Sequence, residues 1–115
     1  MRRAFLTASI LVMLSVQSAN AACNAASCFG IGAEATKSVY PTQGKTYLEV
    51  PSTAEGASLN CTLVSGLYMT LDRNHDNYEA IIATIVTAIA LDRHLQVRIA
   101  EGSSNGSVVY VRMEL

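Results

Sequence analysis

Asp76-Asn77-Tyr78-Glu79-Ala80-Ile81-Ile82-Ala83-Thr84-Ile85-Val86-Thr87-Ala88-Ile89-Ala90-Leu91-Asp92 is the stretch whose reading decides the fold class. Tyr78, Ile81, Ile82, Ile85, Val86 and Ile89 recur at steps of three and four, so they share one face of a helix spanning about 77–92. Asp76 stands at the N-cap position with Glu79 three residues on, the spacing at which two side chains each satisfy a free backbone donor. Isoleucine is a middling helix former, so this face needs a sheet to pack on. The opposite face carries Ala83, Thr84, Thr87, Ala88 and Ala90 and is poor in charge. Small side chains there admit a neighbour, which makes Ala83, Thr84, Thr87 and Ala88 a candidate subunit interface.

Outward from the helix, the flanking segments read as strands. Ser58–Val64 alternates Leu59, Cys61 and Leu63 with polar residues, and Ser65-Gly66 breaks it before Leu67–Leu71 resumes. Gln96–Ala100 and Val108–Met113 flank the turn Gly102-Ser103-Ser104-Asn105-Gly106. Towards the N-terminus, Ala33–Tyr40 and Thr46–Val50 flank Gln43-Gly44-Lys45 as a hairpin. Residues 22–32 are small and Gly-rich and read as a flexible lead-in. Three strands, one helix and two strands leave no room for repeated βαβ crossovers. The fold class is α+β, mainly β: a small OB-type antiparallel barrel or curled sheet, β-β-β-α-β-β, in a single domain over residues 33–115. The helix face should pack on Leu59, Cys61, Val97, Ile99, Val109 and Val111.

Met1-Arg2-Arg3 followed by the apolar Ala4–Val16 and the small-x-small Ala19-Asn20-Ala21 reads as a signal peptide over residues 1–21, with the mature chain starting at Ala22. Export to the periplasm or beyond follows, and nothing after Ala22 is long and apolar enough to span a membrane. Half the 115 residues are apolar and 15% are charged. Without Arg2 and Arg3, 6 basic residues face 9 acidic ones, a net charge of about -3 that argues against nucleic acid as a partner. Cys23, Cys28 and Cys61 enter an oxidising compartment, where one disulfide and one odd thiol is the simplest count. Loop entropy favours a bridge to Cys61, proximity favours Cys23 with Cys28, and the pairing stays open.

The chemical motifs are incomplete. Gly30-Ile31-Gly32-Ala33-Glu34-Ala35 has the G-x-G-x-x-A form without the strand before it or the helix after it that a dinucleotide site requires. Asp72-Arg73-Asn74-His75-Asp76 begins like a calcium loop, but Asn77 replaces the turn glycine and Ala83 the bidentate glutamate. His75 and His94 lie about 28 Å apart across a straight helix, so they share no site within a subunit, and His94 with Arg93 suits the helix C-terminus. Ser103, Ser104 and Ser107 lack a nucleophile elbow. No cofactor or metal is expected, and no catalytic set is visible.

Leu59-Asn60-Cys61 through Gly66-Leu67-Tyr68-Met69, the helix around Tyr78-Glu79-Ala80-Ile81-Ile82, then Val97-Arg98-Ile99 and Val108-Val109-Tyr110-Val111 form a pattern that resembles small exported bacterial proteins. It is similar in layout to the receptor-binding B subunits of subtilase-cytotoxin-type AB5 toxins over roughly residues 33–115. That resemblance implies an OB-type barrel, a pentameric ring and binding of cell-surface glycans. Many proteins of this type carry a cysteine in the turn before the last strand that could partner the one in the middle strand. This chain has Gly102-Ser103-Ser104-Asn105-Gly106 there, so that partner is absent, and no glycan-contacting residue carries over. The expected function is an exported, non-catalytic binding module, a homo-oligomer whose partner is a glycan or another exported protein. The competing readings are a small periplasmic enzyme whose titratable residues converge from different strands, and a structural or inhibitory periplasmic protein.

Overall fold

The computed structural model describes residues 21–115, so the expected leader lies outside the described residues except for Ala21. The chain forms β1 (Ala22–Cys23), β2 (Ser27–Ile31), α1 (Gly32–Ala35), β3 (Val39–Pro41), β4 (Lys45–Glu49), α2 (Thr53–Gly56), β5 (Tyr68–Asp72), α3 (Tyr78–Ala90), β6 (His94–Ile99) and β7 (Val108–Glu114). Two antiparallel sheets result, β1-β2-β6-β7 and β3-β4-β5. The α+β, mainly β class holds, and no closed barrel forms among the described residues. The sheets touch at an isolated parallel bridge between Thr70 and Ser107, where the Thr70 N–H donates to the Gly106 carbonyl.

The β3–β4 hairpin forms where expected, closed by Thr42 N–H on the Lys45 carbonyl, with Gly44 in the left-handed region its turn requires. The segment 22–32 departs from a flexible lead-in. It supplies β1 and β2, and β2 is paired on both edges. Small side chains hide this strand because its place depends on ladder hydrogen bonds and close approach, which have no hydrophobic period. At Gly32, a Cβ would stand 2.7 Å from the backbone of Ala88 and Ile89, so glycine lets α1 press onto α3. The expected strand Ala33–Tyr40 is accordingly α1 followed by the short β3.

Ser58–Val64 also departs from expectation: α2 precedes an irregular stretch with no strand. Its backbone bonds elsewhere, with Asn60 N–H on Ala25, Thr62 N–H on Ser103 and Gly102 N–H on the Asn60 carbonyl. Leu59 is still buried and Cys61 and Leu63 half-buried, so the alternation reported burial and not a ladder.

Of the expected core face of α3, Ile81 and Ile85 are buried, and Tyr78, Ile82 and Ile89 pack on the core while partly exposed. Val86 is 52% exposed and belongs to solvent, and Ala88, read as the outer face, is fully buried. The buried stripe Ile81-Ile85-Ala88 sits one step round from the sequence reading because α1 lies against Ala88. Among the expected strand partners, Val97 and Ile99 are buried, Val111 is half-buried, and Val109 is 42% exposed. A register shift at Arg98/Ile99 pairs Ile99 with Val108 and Arg98 with Tyr110, so Val108 takes the core position and Val109 bulges outward. Asp76 does not cap α3. Asn77 holds the N-cap position without a side-chain bond, and the Asn77 N–H donates to His75 Nδ1 at 3.0 Å.

Candidate tyrosine binding surface

The sheet β3-β4-β5 has one buried face and one open face. Thr46, Leu48, Met69 and Leu71 point into the core. By register Tyr40 faces Tyr47, Tyr47 faces Thr70, and Glu49 faces Tyr68, so all these side chains stand on the other side. The three tyrosine rings meet there as a cluster, with centroids 5.8 to 6.5 Å apart and planes inclined by 40° to 53°. These separations fall in the range where tilted aromatic pairs attract beyond their buried area. Tyr40 remains 54% exposed, so the cluster offers ring surface to solvent.

Polar groups frame the rings. The Ser38 hydroxyl donates to Glu49 Oε1 at 3.4 Å beside Tyr68, and Lys45 and Asp72 face each other at the far end. Thr70 lies beneath, fully covered, and its Oγ1 has no partner among the described residues. Apolar ring surface with a carboxylate and a hydroxyl alongside can hold a ligand that has an apolar face and hydroxyl edges. Sequence reading placed Tyr47 and Tyr68 in strands but missed the cluster. The signal was their period-two place opposite core residues, and the missing information was the register that brings Tyr40 alongside.

The residues singled out from sequence scatter elsewhere. Cys23 and Cys28 form the disulfide across β1 and β2, so proximity decided the pairing. Cys61 is free and half-buried, and burial pushes its thiol up. His75 Nε2 lies 2.9 Å from the Val109 carbonyl; with Nδ1 accepting from Asn77, the ring hydrogen sits on Nε2, and the ring ties the turn before α3 to β7. His94 starts β6 opposite Glu114, 3.8 Å away, and so serves a strand pair and not the helix end. Ser103 locks its own turn, donating to Ala100 and accepting from the Ser107 N–H. Asp72 accepts from the Asn74 N–H, and no group of three or more metal-ligating side chains converges among the described residues. On the outer face of α3, the Thr84 and Thr87 hydroxyls bond back to the carbonyls of Ala80 and Ala83. No described helix is long and apolar enough to cross a membrane.

Comparison with family models, curated proteins and solved structures returns no match. The site therefore stands on its geometry.

Proposed function

We propose that the protein is an exported, non-catalytic binding module of OB type that takes a glycan on the tyrosine surface. The observation that carries this reading is the cluster of Tyr40, Tyr47 and Tyr68 on the open face of β3-β4-β5. Strand order supports the OB arrangement. Followed across the Thr70–Ser107 bridge, the strands run β3-β4-β5-β7-β6-β2, and the chain from β2 through α1 to β3 reaches both sheets as one broken first strand would. Counted that way, β4 and β5 are the second and third strands, the face on which OB domains bind oligosaccharides and oligonucleotides. The acidic balance of the chain disfavours the oligonucleotide. A pyranose would lay its C–H face on the rings and turn its hydroxyls to Glu49 and Ser38.

The cysteine-bridged β1–β2 pair suits an oxidising compartment. Assembly into a ring through the outer face of α3 belongs to the same proposal. Glycan-array screening followed by calorimetry on the best ligand tests it. Tyr40→Ala should weaken binding at least about tenfold, or ~1.4 kcal/mol, and leave the melting temperature nearly unchanged because the ring is exposed. Binding that survives Tyr40→Ala, Tyr47→Ala and Tyr68→Ala would remove the site.

A further inference from the structure

We infer that removal of residues 1–21 completes the fold electrostatically: the new α-ammonium of Ala22 forms an ion pair with Glu55 and Glu34. This rests on the export reading above, and on the following geometry. The Cys23 N–H donates to Glu55 Oε2 at 2.7 Å. Ala21, Glu34, Lys37, Pro51, Ser52 and Glu55 line a pocket of about 340 Å³ at this point. Ala22 is the next residue back along β1, opposite Phe29, and Ala21 before it lines the same pocket as Glu55, so the Ala21–Ala22 bond lies at this pocket. Glu34 Oε2 is out of solvent and has no partner among the described residues.

Charge counting points the same way. Among the described residues, the ionisable groups facing this pocket are Glu34 from α1, Lys37 from the segment after it, and Glu55 from α2, two anions against one cation. The other polar side chain, Ser52, already accepts from the Glu55 N–H. While residue 21 is attached, the Ala22 nitrogen is a neutral amide. Hydrolysis of the Ala21–Ala22 bond leaves the new carboxylate on the departing Ala21 and an amine on Ala22, which is protonated below its ordinary range of about 7.7–8.0. The cut therefore brings one positive charge to the place where one is lacking, and it does so only once Ala21 has left the pocket. A carboxylate pair of this kind favours the ammonium in the folded state. Its stabilisation is then present below the unfolded amine's range and is lost as pH rises through the folded value.

Thermal melts of the exported protein, with its α-amine free or acetylated, test the inference. At about pH 6.5 the acetylated form should melt lower, by on the order of 5 °C, and at about pH 9.5 the two forms should converge. Glu55→Gln, which keeps an acceptor for the Cys23 N–H, should shrink the difference at the lower pH, and Glu34→Gln added to it should erase it. Coincident melts of the native free and acetylated forms at the lower pH would overturn the ion pair while leaving the binding reading intact. A first residue other than Ala22 in the exported protein would overturn both the cleavage site and this inference. The tyrosine surface is tested separately by its own variants.

Discussion

Single residues in this domain are set by what presses on them. Gly32 is glycine because the backbone of Ala88 and Ile89 stands where a Cβ would go. Gly32→Ala should therefore lower stability by about 1–3 kcal/mol, read as a shifted denaturation midpoint, because the helix backbone has no rotamer to give. Cys61 shows the opposite case, a residue whose chemistry is damped by its surroundings. Burial raises its thiol, so less thiolate is present near neutrality and alkylation of the native protein should be slower than in denaturant. Because the folded value lies above the unfolded one, this group's contribution to stability is intact below the unfolded range and falls away as pH rises through the folded value. Equal alkylation rates for native and denatured protein would contradict that. Cys61 was legible as a partly buried residue from Leu59 and Leu63 beside it, but not as the free thiol, since pairing follows the β1–β2 register that sets Cys23 opposite Cys28.

At the level of elements, helix α3 was the most legible, because thirteen residues repeat one period and each repeat reinforces the last. Its rotation about its axis was less legible, since an alanine counts for little in a hydrophobic pattern yet can sit deepest where another helix needs close approach. This gives a contrast between neighbours. Ile85→Ala should cost about 2–5 kcal/mol, whereas Val86→Ala should stay within about 0.5 kcal/mol, both measured by chemical denaturation. The strand β2 was not legible at all. Its residues Ser27, Cys28 and Gly30 are buried by their place between β1 and β6, and a central strand of small residues shows no alternation to read. The stretch 58–64 misled for the converse reason: a loop folded against the core alternates as a half-buried strand does.

At the level of the whole molecule, the two sheets meet edge to edge at Thr70 and Ser107, and α3 closes over the core beside β7. The outer face of α3 keeps Ala83, Thr84 and Thr87 and adds the exposed Val86, while Ala88 is committed to the subunit's own core. If this strip is the contact between copies, Thr87→Glu should dissociate the assembly by burying an unpaired carboxylate. Sedimentation should then show a single subunit in place of the oligomer. A native protein that already sediments as one subunit at micromolar concentration would remove the ring, and the substitution should then change stability by no more than about half a kcal/mol.

By itself the sequence determined what depends on near neighbours along the chain: the amphipathic helix, the hairpin turn at Gly44, the breaks at Ser65-Gly66 and Gly102–Gly106, and the acidic balance. Each is a matter of local conformational preference or of a period repeated within a few residues. Only the tertiary structure decided the partner of Cys28, the burial of Ala88, the outward bulge of Val109 and the meeting of Tyr40, Tyr47 and Tyr68. These depend on register and on contacts between segments distant in the chain, and a shift of one residue in a strand exchanges the side chains of its two faces.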